Sequence, residues 1–138
     1  RDIIIIDMPP GTGDTQLTFV QEIKVDGAII VSTPQDLAIL DVIRGIQMFE
    51  KTGVKILGLI DNMSIFKGDD GKEYKIFGEG GVKKTAEEFN KEFLGYLPLS
   101  KDLRISADKG EPLTYSKSNH EISKLFISIA EKIKQSFQ

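Results

Sequence analysis

Short runs of apolar residues, separated by amphipathic stretches, set the pattern of this chain. Ile3–Ile6 is an unbroken run of β-branched residues, which is typical of a strand buried on both faces. Ala28–Val31 and Lys55–Ile60 show the same pattern, and Phe93–Leu97 is a weaker candidate. We therefore predict four strands, the first of them almost at the start of the sequence.

The stretches between these runs predict helices. Residues Thr33–Asp36 (TPQD) fit a capping box with Pro34 at the first helical position, and the helix that follows is predicted to end at Gly53. Val82–Asn90 is predicted to be helical, and Ser118–Glu121 (SNHE) fits a second capping box that opens a last helix. The predicted apolar faces are Leu37, Leu40, Ile43, Ile46 and Phe49 in the first of these helices, and Ile122, Leu125, Phe126, Ile129 and Ile133 in the last.

Strands that alternate with helices predict the fold class. We expect an α/β fold with a parallel sheet and helices on both of its faces. In such sheets ligands bind at the carboxyl ends of the strands. The 138 residues contain no internal repeat, low-complexity tract or linker, so we interpret them as one domain or part of one.

Composition and charge narrow the classes of function. A hydrophobic content of 40% and a charged content of 28% are those of an ordinary globular protein. A net charge of −3 argues against a general affinity for nucleic acid or for anionic membranes. No apolar run approaches the roughly 20 residues needed to cross a bilayer, and we expect a cytoplasmic protein. Since the sequence has no cysteine and His120 as its one histidine, disulfides, thiolate ligands and a histidine metal cluster are excluded within it.

The segment IIIIDMPPGTGD, residues 3–14, carries the first candidate chemistry. Asp7 ends the predicted buried strand, where a carboxylate is costly unless a cation or hydrogen-bond donors meet it. The Pro-Pro-Gly that ends at Gly11 makes a rigid bend, followed by a residue whose backbone can approach a ligand closely. For the apolar run plus Asp alone, a capped strand end with a proline turn is the favoured interpretation, because that pattern is weak. The longer string favours a ligand.

That string resembles the Walker B and switch II segment of the Mrp family, deviant-P-loop ATPases related to the nitrogenase iron protein and the septum-site ATPases. Further segments similar to the family follow in order from Arg1 to about Pro112: VDGAIIVSTPQDLAILDVIRGIQMF, GLIDNMS, IFGEGG, FLGYLPLS and ISADKGEP. The resemblance implies a P-loop NTPase fold like that of the nitrogenase iron protein. It also implies an ATPase that assists iron–sulfur cluster assembly as a homodimer and has iron–sulfur recipient proteins as partners.

On the phosphate side, the resemblance implies roles for residues of the first segment. Asp7 would meet the Mg²⁺ shell through water, and Gly11 would offer its N–H to the γ-phosphate of ATP and move on hydrolysis. Asp14 either helps to set this loop or caps the helix that follows, and we favour the cap.

On the base side, the resemblance implies that Asn62 reads the adenine edge. Its side-chain amide can donate and accept at once, which suits the adjacent donor and acceptor of adenine. An asparagine after a strand is also a common turn residue. Pro98 and Leu99 would line the adenine pocket through their backbone.

One departure from the family pattern concerns the phosphates. The family carries a KGGVGK[ST] loop whose amides and lysines hold them. No such loop occurs here, and the glycine-rich Phe77–Gly81 is not followed by Lys-Ser or Lys-Thr. We therefore interpret residues 1–138 as the carboxyl-terminal portion of a single P-loop NTPase domain, starting at the Walker B strand and incomplete at its amino-terminal side. We expect the intact parent to use ATP and Mg²⁺, and this fragment alone to be inactive.

The other departure concerns iron. Many relatives have a Cys-x-x-Cys between NMS and IFG, with which two subunits share an iron–sulfur cluster. Here the interval reads IFKGDDGKEYK, and Asp69 and Asp70 stand about where the thiolates would be. Carboxylates are poor substitutes for thiolates, and paired acids between Gly68 and Gly71 are typical of a solvated turn. The sequence thus removes the local support for a cluster on this chain.

Two other classes of function stay open. A partitioning or membrane-positioning ATPase of the same superfamily would need a basic amphipathic tail, and ISKLFISIAEKIKQSFQ at residues 122–138 combines lysines with an apolar stripe. The same stripe is what a helix packed on a sheet needs. A nucleotide-free interaction module is the third class, and it is what these residues form without a phosphate loop.

Overall fold

The computed structural model describes residues 3–138, in which helices and strands alternate. In chain order the elements are α1 (Asp14–Glu22), β1 (Ala28–Ser32), α2 (Asp36–Thr52), β2 (Ile56–Lys67), β3 (Glu73–Tyr74), α3 (Gly81–Glu88), β4 (Phe93–Leu99), α4 (Lys101–Lys109), α5 (Leu113–Ser116) and α6 (Glu121–Gln135). Within the described range, no helix is both long and apolar enough to span a membrane.

The sheet is built around β2. β1 and β4 pair with it in parallel on its two sides, and β3 pairs antiparallel with its last residues. In this register Asp61 lies opposite Ser32 of β1 and Tyr96 of β4, and Asn62 lies opposite Leu97. The predicted parallel sheet is confirmed, with a short antiparallel hairpin added to it.

Helices cover both faces of the sheet, as predicted. Successive residues of β2 point to opposite faces, so Leu59 and Ile60 enter different cores. The core under α2 and α3 contains Val42, Ile46, Leu59, Val82 and Ala86. The core under α6 contains Ile60, Leu94, Leu97 and Ile129. Each buried Val, Leu or Ile side chain of these cores contributes roughly 1.5–3 kcal/mol on burial. The apolar stripe of α6 covers the sheet.

The predicted strand at Ile3–Ile6 is wrong. The segment precedes α1 without joining any strand of the sheet, and its side chains are exposed, 83% for Ile4 and 88% for Ile5. A β-branched run forms a strand only where a neighbouring strand supplies backbone partners and covers its faces. No element of residues 3–138 does this for Ile3–Ile6.

Two helices begin later in the chain than predicted. The N-cap of α2 is Gln35, and Thr33 Oγ1 donates to its side-chain oxygen at 2.6 Å instead of capping. The N-cap of α6 is His120 and not Ser118, because His120 Nδ1 accepts a hydrogen bond from the Ile122 N–H at 3.1 Å. The cap is the extended residue directly before the first helical turn, and its side chain need not be the expected hydroxyl.

The apolar face of α2 also differs from the prediction in its first turns. Ile46 and Phe49 are buried as expected, together with Val42, whereas Leu37 and Leu40 are exposed. Leu37 and Leu40 lie on a side of the helix that no element of the described range covers. The end of α2 is as predicted, since Gly53 adopts the left-handed conformation (φ +72°) that closes the helix.

Candidate functional site

The carboxyl edge of the parallel strands brings together the predicted base-side residues. Asn62 of β2 lies opposite Leu97 of β4, so that Pro98 and Leu99 continue β4 along the same edge. Asn62 and Pro98 are half-buried and Leu99 is partly exposed. This is the edge at which open α/β sheets bind their ligands.

The backbone after Asn62 leaves the regular strand. The side-chain Oδ1 of Asn62 accepts a hydrogen bond from the Met63 N–H at 3.0 Å, so the oxygen of this amide is engaged by its own backbone. Met63 has a φ of +55°, in the left-handed region that residues other than glycine rarely adopt. The pairing of β2 with β4 shifts register between Asn62 and Phe66. The edge is therefore irregular at the residue that is predicted to read the base.

The predicted phosphate-side residues lie in the segment before α1. Asp7 is exposed, and Gly11 has a φ of +104° with no atom within 4 Å of the position a Cβ would take. No hydrogen bond among the described residues connects this segment with Asn62, Pro98 or Leu99, so a site shared by the two groups stays a prediction.

A buried glutamine that sequence reasoning missed holds this segment on α1. Gln16 Nε2 donates to the carbonyl of Pro10 at 2.9 Å and to that of Pro9 at 3.3 Å. The predicted capping role of Asp14 is wrong, because the N-cap of α1 is Gly13 and Asp14 is the first residue of the helix. The negative charge of Asp14 in the first turn interacts favourably with the positive end of the helix dipole. The signal available in the sequence was a single polar residue on the inner side of a short helix.

Asp61 is the second residue that sequence reasoning missed. Its side chain lies inside the sheet at 4% exposure, and its Oδ1 has no hydrogen-bond partner among the described residues. The hydroxyl of Ser32, on the neighbouring strand, donates to the Thr33 carbonyl and not to this carboxyl. Burial raises the pKa of Asp61 from 3.8 to about 6. The available signal was an acidic residue within an apolar strand, GLIDNMS.

The acidic segment at Asp69 and Asp70 forms the turn between β2 and β3. Asp70 Oδ1 accepts a hydrogen bond from the Lys72 N–H at 2.9 Å, and Oδ2 accepts one from the Tyr74 hydroxyl at 2.7 Å. These bonds lower the pKa of Asp70, and the bond from Tyr74 raises the pKa of the Tyr74 phenol. Asp70 is thus occupied in ordering the turn, in agreement with the turn interpretation.

The chain is similar in sequence and in fold to known proteins. Residues 1–134 match the family described as ParA: NUBPL iron-transfer P-loop NTPase. The chain belongs to this family. The resemblance found in the sequence motifs is thereby confirmed.

This chain has curated relatives that are named as iron-sulfur cluster carrier or transfer proteins. It is 47% identical over 133 residues to the iron-sulfur cluster carrier protein of Haemophilus influenzae, covering 96% of this chain and 36% of the relative. It is 41% identical over 133 residues to the iron-sulfur cluster transfer protein NUBPL of Mus musculus, covering 96% of this chain and 42% of the relative. The chain therefore spans less than half the length of these relatives.

Solved structures place the chain in the same fold. A nucleotide-binding protein from Archaeoglobus fulgidus, in complex with ADP, is 40% identical and superposes with a TM-score of 0.66 over 75% of this chain and 43% of its own. The cell division ATPase MinD of Pyrococcus furiosus, 20% identical, superposes with a TM-score of 0.63 over 80% of this chain and 43% of its own. The fold is that of P-loop NTPases.

The residues of this chain suit Mg²⁺ and phosphate but not an iron–sulfur cluster. In nucleotide sites Mg²⁺ is held by one or two carboxylates together with phosphates and water. Asp7 is exposed and can supply one such carboxylate. An open Gly11 leaves space for a phosphate against its backbone. An iron–sulfur cluster does not fit: the sequence has no cysteine, and residues 3–138 contain no group of three or more side chains able to hold a metal.

Proposed function

We propose that this chain is the base-binding portion of an ATP-hydrolysing protein that assists iron–sulfur cluster assembly or transfer. The observation that supports it most is the edge formed by Asn62, Pro98 and Leu99, in a chain 40% identical to a nucleotide-binding protein in complex with ADP. The assignment to cluster transfer rests on the names of the curated relatives.

In this proposal the adenine lies at the carboxyl edge of β2 and β4. The NH₂ group of Asn62 donates to a ring nitrogen, and its Oδ1 accepts from the exocyclic amine once it has released the Met63 N–H. The backbone of Pro98 and Leu99 lines the other side. The Asn62–Met63 contact thus holds the amide in place until the base replaces it.

The phosphate side of the proposal rests on Asp7 and Gly11. Asp7 orients water in the shell of Mg²⁺, which when bound neutralises charge between the phosphates. The Gly11 N–H donates to the γ-phosphate, and Gln16 holds the Pro9 and Pro10 carbonyls so that the following glycine is presented consistently.

The remaining parts of the site belong to the parent protein in this proposal. A phosphate-binding loop is supplied by the rest of the parent, which acts as a cytoplasmic homodimer and delivers clusters to recipient proteins. The cluster is cargo, held by groups other than those of residues 1–138, since these include no cysteine. The chain alone is inactive, and calorimetry with Mg-ATP is expected to show no saturable binding below millimolar concentrations.

The test compares two Asp→Asn variants in the intact parent. Asp7→Asn keeps the shape of the side chain but removes the charge that orients the metal's water, so we expect turnover of ATP to fall by about ten- to a thousandfold, roughly 1.4 to 4 kcal/mol of barrier. Asp69→Asn, in the exposed turn, is the matched control and is expected to leave turnover unchanged. Normal hydrolysis by Asp7→Asn together with loss in Asp69→Asn would overturn the assignment.

A further inference from the structure

The buried carboxyl of Asp61 lies beside the nucleotide edge, the carboxyl edge of β2 and β4 where Asn62, Pro98 and Leu99 lie. It is the residue directly before Asn62 on β2, and its Oδ1 is buried without a hydrogen-bond partner among the described residues. An unsatisfied buried polar group costs about 1–3 kcal/mol. Such a group in the central strand of a sheet, at the end where ligands bind, calls for a physical explanation.

The register of the sheet places Asp61 on the face covered by α2 and α3. Ile30 and Leu59 lie opposite one another and belong to the core under these helices, and Ser32 and Asp61 follow two residues later on their strands. α2 follows β1, which ends at this edge, and α3 follows the β2–β3 hairpin that extends β2 beyond it. A Cβ at Gly81, where α3 starts, would lie 2.7 Å from the carbonyl oxygen of Pro34, just before α2. The two helix starts therefore close this end of the face tightly.

No titratable side chain at this end of the face forms an ion pair or a hydrogen bond with Asp61 Oδ1 among the described residues. The titratable residues of the elements at this end are all exposed: Tyr96 on β4, Asp36 on α2, Glu79 before α3, and Lys83 and Lys84 on α3. Glu79 forms an ion pair with Lys75, and Lys84 forms one with Glu88. No ion pair of the described residues includes Asp61, so its neutral form is the one that burial favours.

Asp61 and Asn62 are coupled through the backbone of β2. Their side chains point to opposite faces of the sheet, but the two residues are consecutive in the chain, so a displacement of the backbone at one moves the other. The strand is already irregular at this point, with the left-handed Met63 next in the chain and a register shift against β4. This end of β2 therefore resists displacement less than its regular, fully paired part.

We propose that Asp61 is a positioning residue for the nucleotide edge that acts through Asn62. The neutral carboxyl stays packed beneath the starts of α2 and α3, whereas the carboxylate draws water under them and displaces β2 at Asn62. Base binding, in the function proposed above, selects the neutral form. The nucleotide-bound protein then holds the proton more tightly than the free protein.

This linkage fixes the direction of the pH dependence. The pKa of Asp61 in the free protein is about 6, so the carboxyl is mostly neutral below that pH and mostly ionised above it. If binding selects the neutral form, affinity is unaffected well below pH 6 and falls by up to tenfold for each pH unit above it. Nucleotide binding by the parent is therefore expected to weaken as pH rises from 5.5 to 7.5.

The experiment measures ADP affinity of the intact parent by calorimetry at pH 5.5, 6.5 and 7.5. We expect wild-type affinity to fall about tenfold more over this range than that of Asp61→Asn, which cannot ionise. The phosphates of ADP titrate equally in both proteins, so the difference between them isolates Asp61. Asp69→Asn is the control and should follow the wild type. Parallel profiles for wild type and Asp61→Asn would overturn the proposal.

A second measurement does not depend on nucleotide. The side-chain NH₂ signals of Asn62, followed by NMR in the ligand-free parent, should titrate with a midpoint near pH 6 and stop titrating in Asp61→Asn. A flat Asn62 signal overturns the positioning role even if ADP binds. Titration of Asn62 without any ADP binding overturns the nucleotide function and leaves the coupling between the two residues standing as a structural fact.

Discussion

A single buried carboxyl gives this fold a pH dependence that opposes that of most acidic residues. The pKa of Asp61 is raised from 3.8 to about 6 by burial, so the folded state binds its proton more tightly than the unfolded state. Stability from this group is complete below about pH 4 and is lost as pH rises through 6. Asp70 acts in the opposite direction, because hydrogen bonds lower its pKa. Comparison of variants is therefore needed to isolate Asp61.

The Asp61→Asn variant tests this directly. We expect the difference in free energy of unfolding between Asp61→Asn and wild type to shift by about 2 kcal/mol in favour of the variant between pH 4 and pH 7.5. The reason is that wild type must bury a charge at the higher pH, whereas the amide carries none. Urea denaturation at the two pH values measures the change. Asp69→Asn, which alters an exposed carboxyl, is the control for the loss of one acidic side chain. A pH-independent difference for Asp61→Asn would contradict the raised pKa.

At the residue scale, sequence reasoning found side chains that belong to motifs and missed those defined by packing. Asn62 was identified because GLIDNMS resembles a family motif, and the structure places it beside Pro98 and Leu99. Asp61, in the same motif, has no such signal, because its burial depends on how the strands and helices pack and not on its neighbours in the sequence. Gln16 was missed for a similar reason, since its partners are backbone carbonyls that carry no side-chain signature.

At the scale of elements, the contact between β2 and β4 depends on a glycine. Gly58 has a φ of +157°, and a Cβ there would lie 2.5 Å from Leu94 Cγ and 2.9 Å from the carbonyl oxygen of Glu92. Gly58→Ala must therefore move a buried leucine and the backbone beside it. We expect a loss of about 2–4 kcal/mol in the free energy of unfolding, measured by urea denaturation.

The control for this prediction is Gly53→Ala at the end of α2. Gly53 also has a positive φ, +72°, but no atom lies within 4 Å of the added Cβ. Only the backbone conformation is penalised there, and the expected loss is about 1 kcal/mol. Equal losses in the two variants would show that close approach of β4 contributes nothing at Gly58.

The elements themselves were largely predictable because each carries a local signal. β1, β2 and β4 coincide with apolar runs, and α2 ends at the expected glycine. The helix starts were displaced because a capping box specifies a hydroxyl and an acid, whereas Gln35 and His120 occupy the extended position before the first turn. Ile3–Ile6 has the composition of a strand, but pairing is a property of two segments and cannot be decided from one.

At the scale of the whole molecule, the described residues leave apolar and hydrogen-bonding surface uncovered. β1 and β4 each pair with β2 alone on one side, so each leaves one lateral edge of the sheet unpaired within the described range. The exposed Ile3–Ile6 adds a β-branched segment able to pair with such an edge. Together these features are those of a chain that associates through strand addition.

We expect the 138-residue chain to self-associate through Ile3–Ile6 when it is studied alone. Sedimentation and light scattering should detect dimers or larger species, because an exposed apolar segment and an unpaired strand edge gain free energy when they meet. The double variant Ile4→Lys and Ile5→Lys places two charges on the segment and should shift the chain towards monomer at equal concentration. Leu37→Lys, which removes an apolar side chain of similar exposure (78%) from α2, is the control and should leave association unchanged.

A stable monomer in the unmodified chain, or equal effects of the Ile and Leu variants, would show that this segment does not act as the associating strand. Association would then have to be sought in the other exposed apolar side chains of the carboxyl edge, where Met63, Phe66 and Tyr96 lie.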